Sequence, residues 1–186
     1  YGLVGSEMCI ETATADNFSV GDSGGYKDTN VVVPVNITNV QNGPVICIIF
    51  NIAYDKNVIN VVDVQQGDLT STWDPPTFNN FDGGTRVLIV YDDGQTPHVI
   101  QNGSTGSVAI LTFSVVGTPG STSWMNLSDI QLAENATYNV GTASAKNGTF
   151  FILKTSNAPT GGGTGGGGGG TAASALPSGV TEVATT

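Results

Sequence analysis

Positive charge is what this sequence lacks most. Of its 186 residues five are Lys or Arg, against fifteen Asp or Glu, and charged residues make up 11% of the chain, where soluble domains carry about 25%. Phosphate backbones are held by clusters of Lys and Arg, so this composition excludes nucleic acid as a partner. Long apolar runs are missing too. The longest, from Val45 to Phe50, falls far short of the roughly 18 residues a membrane-spanning helix needs, and no membrane span is expected. Histidine occurs once, at His98, and cysteine twice, at Cys9 and Cys47. Two cysteines are too few for a disulfide scaffold and have no metal-ligand spacing. In an exported chain Cys9 and Cys47 are candidates to pair, closing a loop worth about 4 kcal/mol on the chain-entropy account; two buried free thiols are the alternative. The chain opens at Tyr1 without Met or a basic, apolar leader, as expected if a leader has been removed on export.

What is present is a β pattern. In residues 31–38, Val31, Val33, Val35 and Ile37 share one face and Val32, Pro34, Asn36 and Thr38 the other, the period of a half-buried strand. Pro34 lacks an N–H to give to a ladder and predicts an edge or bulged strand. Residues 45–54 are apolar on both faces at first, as in the middle of a sandwich. Further strands are predicted over 8–14, 58–64, 86–91, 107–116, 124–133 and 149–154. Turn signals separate them at Gly24-Gly25, Asn42-Gly43-Pro44, Asp82-Gly83-Gly84, Asp93-Gly94, Pro119-Gly120 and Asn147-Gly148. No useful window has a 3.6-residue period, so the expectation is an all-β, two-sheet sandwich of about nine strands. Hydrophobic content of 39% supports one core of ordinary size.

After Lys154 the composition changes. Gly161–Gly163 and Gly165–Gly170 form a glycine-rich linker that runs into an extended segment holding Val180, Thr181, Glu182, Val183 and Ala184. Such a terminal segment can add itself to the sheet edge of a neighbouring molecule. The expected organisation is an N-terminal extension over 1–16, a sandwich over 17–154 and a tail over 155–186.

Few motifs carry chemistry. Gly21-Asp22-Ser23-Gly24-Gly25 spells the string around a serine protease nucleophile, but the sole histidine follows the serine instead of preceding it. A glycine-rich turn is expected there, with His98 an ordinary loop residue. Asp92-Asp93 and Asn79-Asn80-Phe81-Asp82 offer oxygens of the kind calcium prefers, without the spacing of a dedicated loop. Turn and strand-end carboxylates are expected, and a bound calcium is the alternative. A glycosidase pair is conceivable from Asp92, Asp93 and Glu134, but the separation it depends on is not written in the sequence. No enzyme, cofactor or resident metal is therefore expected. Six Asn-x-Ser/Thr sequons are present, at Asn17, Asn36, Asn102, Asn126, Asn135 and Asn147, which predicts covalent glycans.

The strand sequences resemble a known family. Asn30-Val31-Val32-Val33-Pro34-Val35-Asn36-Ile37, the run from Val45 to Asp55 with its Tyr54-Asp55, and Val58 to Asp68 with its Gly67-Asp68 are similar to the opening strands of cohesin domains. The likeness continues through residues 86–93 and 106–113 and closes at Asn147-Gly148-Thr149-Phe150-Phe151-Ile152. The resemblance implies a nine-stranded jelly roll of an extracellular protein of bacteria or archaea, with no enzymatic activity and a possible dockerin partner. It transfers no dockerin-contacting residue. Two functions are therefore expected. The first is a glycosylated cell-surface subunit that assembles with copies of itself into a filament, sheath or surface layer by donating its terminal strand. The second is a cohesin-type or carbohydrate-binding module, with Trp73, Phe78, Phe81 and Tyr91 as candidates for sugar stacking.

Overall fold

The computed structural model describes residues 12–91, 99–134 and 140–154. Its strands are β1 (Thr14–Val20), β2 (Ser23–Gly25), β3 (Asn30–Gln41), β4 (Val45–Ala53), β5 (Ile59–Gln66) and β6 (Thr77–Phe81). They continue with β7 (Gly84–Val90), β8 (Gly106–Val115), β9 (Thr122–Glu134), β10 (Val140–Gly141), β11 (Ala143–Lys146) and β12 (Gly148–Ile152). Among the described residues a single 3-10 turn, Asp68–Thr70, interrupts the β structure. No helix among the described residues is long and apolar enough to cross a membrane.

The strands form two mixed sheets. One runs β11-β1-β3-β8-β5; the other runs β2-β12-β9-β4-β7-β6, with β10 paired to β9. Alternation decides which side chains lie between them. Val31, Val33, Val35 and Ile37 of β3 face Ile48, Phe50 and Ile52 of β4 across a core in which all seven are buried. Aromatic rings tie the layers: Phe18 meets Phe50 at 5.1 Å between centroids, and Phe113 meets Tyr54 at 5.6 Å and Phe150 at 6.2 Å.

Two local expectations are corrected, and a third is resolved between its alternatives. The Gly24-Gly25 turn is strand β2, which pairs in parallel with β12 through Ser23–Phe150 and Gly25–Ile152. Its glycines are needed for close packing, since a Cβ on Gly25 would lie 2.3 Å from a Val31 methyl. Of the two alternatives for β3, the structure has the bulged strand and not the edge, because β1 and β8 flank it. Pro34 is accommodated because the β1 pairing stops at Val35, so only β8 lies beside it, and the β3–β8 register slips between Val35 and Asn36. Of the strand predicted over 8–14, the described part contributes only Thr14, and β1 continues to Val20; residues 8–11 lie outside the described residues. The first strand is thus placed by burial of Ala13, Phe18 and Val20.

A ring of hydrogen bonds joins the sheets at one end. The Val61 amide donates to Tyr54 Oη (3.3 Å), and Tyr54 and Thr85 share a hydroxyl contact of 2.8 Å. Thr85 donates to Asn80 Oδ1 (2.6 Å), and Asn80 Nδ2 returns to the Val61 carbonyl (3.0 Å). Strands β5, β6 and β7 are thereby linked through side chains that no ladder requires. Asn80 of the calcium candidate group is a member of this ring, and Asp82 of the same group is ion-paired with Lys56.

Candidate functional site

The outward face of β9, β4, β7 and β6 is the most differentiated surface of the sandwich. Its rows follow from register. Asn79, Arg86 and Asn51 lie across β6, β7 and β4, and Thr77, Leu88 and Ile49 form the next row. Ile49 and Leu88 are half-buried where strand parity turns them away from the core. With Thr77, Phe78, Asn79 and Arg86 they line an open depression of about 320 Å³. Phe78 is 37% exposed at its rim.

One end of this face is held by polar contacts. Arg86 Nη1 donates to Asn51 Oδ1 (3.3 Å), and Asn51 Nδ2 donates to Asp129 Oδ2 (2.6 Å). Asp129 reaches this position through a bulge: its φ is 49°, the left-handed region that Asp tolerates, and the β4–β9 register slips opposite it between Ile49 and Asn51. Both Ser128 and Asp129 therefore face solvent in succession. An apolar patch beside an anchored guanidinium can desolvate against a partner and orient it.

Cys47 lies on the same side of β4, half-buried, and burial pushes its thiol above the ordinary value. Among the described residues it is a free thiol; Cys9 lies outside them. Asp92, Asp93, His98, Asn135 and the segment Val180 to Ala184 also lie outside the described residues. No group of three or more His, Cys, Asp or Glu side chains that could hold a metal occurs among the described residues.

Two of the four aromatic candidates are removed from sugar stacking. Trp73 is 4% exposed and Tyr91 packs on it at 6.0 Å between ring centroids, because both fill the core margin. Phe78 and Phe81 are exposed on β6. The most exposed aromatic among the described residues, Trp124 at 71%, was missed; its place after Ser123 in an alternating strand was the available signal.

The five described sequons are dispersed. Asn17 and Asn36 are half-buried on β1 and β3, where Asn17 faces Thr38 and Ser19 faces Asn36, so the two sequons run antiparallel against each other. Asn102 Oδ1 accepts from the Gly43 amide (2.6 Å), and Asn147 Oδ1 from the Leu127 amide (2.9 Å). Asn126 is exposed on β9.

Two mixed sheets closed over one core, with a patterned outer face, define a jelly-roll β-sandwich module. Residues 17–152 match the family model described as "Cohesin domain", and the chain belongs to that family. Solved cohesins share the fold. A non-cellulosomal cohesin from the hyperthermophilic archaeon Archaeoglobus fulgidus is 24% identical, with a TM-score of 0.59 over 78% of this chain and 94% of that one. The sixth cohesin of scaffoldin B from Acetivibrio cellulolyticus, solved with a Cel5 dockerin mutant, is 21% identical, with a TM-score of 0.61 over 74% and 99%. A type I cohesin–dockerin complex from Clostridium thermocellum gives 19% identity and a TM-score of 0.60 over 77% and 97%. No curated protein matches the chain.

Proposed function

We propose that this chain is a non-enzymatic, extracellular protein-binding module that docks a dockerin-like domain on the outward face of β9, β4, β7 and β6. The observation that carries the reading is the depression between Ile49, Leu88 and Phe78, bordered by Arg86 and its link through Asn51 to Asp129. Two of the similar cohesins were solved with dockerins, which names the partner class to try first. A few side chains near the centre of such a face carry most of the affinity. Calorimetric titration of the full chain with a panel of purified dockerins should find a binder. Leu88→Asp should weaken that binder at least about tenfold, the effect of losing roughly 1.4 kcal/mol. If no dockerin binds, or if Leu88→Asp leaves affinity unchanged, the reading fails.

A second reading, self-assembly by strand donation, is favoured by one feature. Edge strand β6, Thr77–Phe81, has no charged side chain and all five residues are exposed. Natural edges are usually blunted by Lys, Pro or bulges, and β6 has none of these among its five residues. In this reading residues 180–184 of one molecule pair with an edge of the next. Val180→Pro with Val183→Pro removes two N–H donors from that segment. Filaments seen for the native chain and lost in this variant support donation; equal assembly of both rejects it.

A further inference from the structure

Trp124 has no structural duty that the fold explains. Its indole is 71% exposed and makes no ring contact or hydrogen bond with another described residue. Strand parity puts it on the same side of β9 as Asn126, since Met125 between them is buried. Side chains two apart on a strand stand about 7 Å from each other. Asn126-Leu127-Ser128 is a sequon, and Ser128, its hydroxyl residue, is exposed on that side as well.

Asn126 also differs from the other described sequons. Asn17 and Asn36 are half-buried, and Asn102 and Asn147 have their carboxamides engaged by backbone amides. The Asn126 carboxamide has no hydrogen-bond partner among the described residues. Its cross-strand neighbour on β4 is small, Ala53. Trp124 and Asn126 border an open depression of about 440 Å³ shared with Tyr54, Asp55 and Gly83.

We infer that Asn126 is an N-glycosylation site whose first sugar residue stacks on the exposed face of Trp124. This goes beyond the docking function. In the reaction the Asn126 Nδ2 forms a bond to the anomeric carbon of a lipid-phosphate-linked oligosaccharide. The bond from that carbon to the phosphate oxygen breaks, the lipid phosphate leaves with the electron pair, and the Nδ2 proton passes to a base of the transferring enzyme. The C–H face of a pyranose is apolar and weakly positive, and it complements the electron-rich indole face. Covering the ring removes apolar surface from water, so the glycan stabilises the fold instead of only hydrating it.

The test uses the full chain secreted from a eukaryotic host with an N-glycosylation pathway. Glycopeptide mapping should find Asn126 occupied, and Ser128→Ala should abolish that occupancy. The glycan should shield Trp124, so iodide should quench native fluorescence less than that of Ser128→Ala. It should also raise Tm by about 2–4 °C, a gain absent when Trp124→Ala is compared with Trp124→Ala/Ser128→Ala. Asn126 unmodified in the native chain overturns the inference. So does occupancy with equal iodide quenching and equal Tm in the native chain and Ser128→Ala, and so does binding of free oligosaccharide at Trp124 with Asn126 bare.

Discussion

Thr85 is fully buried, yet it is a hydroxyl residue paired across the ladder with buried Ile52. The ring that runs from the Val61 amide through Tyr54, Thr85 and Asn80 back to the Val61 carbonyl is the reason. A buried polar atom deprived of its partner loses its water without replacement, at about 1–3 kcal/mol. Thr85→Val strands Tyr54 Oη and Asn80 Oδ1 and should lower unfolding free energy by that amount in urea titrations. Tyr54→Phe should cost a similar amount. Because both break one ring, the double variant should lose clearly less than the sum; strict additivity would show that the ring does not act as a unit. None of this was legible from residues alone. Thr85 reads as an ordinary strand threonine, and its partners lie on other strands. The same holds for the two tryptophans: sequence made Trp73 the sugar candidate and passed over Trp124, because exposure is fixed by which sheet face closes over which ring.

Elements with long alternating runs, such as β3, β8 and β9, announced themselves, since burying one face of a strand forces a period of two. Short or glycine-rich ones did not. Strand β2, of three residues, exists only because β12 offers it a parallel edge, and β6 has no buried residue to impose a pattern. The turn after β5 shows how one residue seats an element. Gly67 lets the Asp68–Thr70 turn lie directly on β8, where Thr70 donates to the Val108 carbonyl (2.8 Å) and the Asp68 amide donates to Ser107 Oγ (2.8 Å). A Cβ at position 67 would come within 2.4 Å of the Ser107 carbonyl group. Backbone cannot yield as a side-chain tip can, so Gly67→Ala should destabilise by about 1–3 kcal/mol, read as a lower denaturation midpoint in urea. An unchanged midpoint would mean that this turn is not seated on β8.

For the whole molecule, the net charge of −10 sets the response to salt. The ion pair between Lys56 and Asp82, both exposed, contributes little. Repulsion among the remaining carboxylates therefore opposes compaction. Raising ionic strength from about 0.01 M to about 1 M shortens the screening length from about 30 Å to about 3 Å. Tm measured by calorimetry should rise across that range, and a falling Tm would show that favourable pairs dominate. The sequence by itself determined the fold class, the positions of the long strands and the cohesin likeness from Asn30 to Ile152, because alternation and turn chemistry are local. It also determined where sequons lie. Only the tertiary structure decided which residues of different strands lie side by side. The depression at Ile49 and Leu88, the Arg86–Asn51–Asp129 link and the pairing of Trp124 with Asn126 follow from register, a β-bulge and parity. The first two join residues up to 78 positions apart in sequence, and only the sheet brings them within hydrogen-bonding distance.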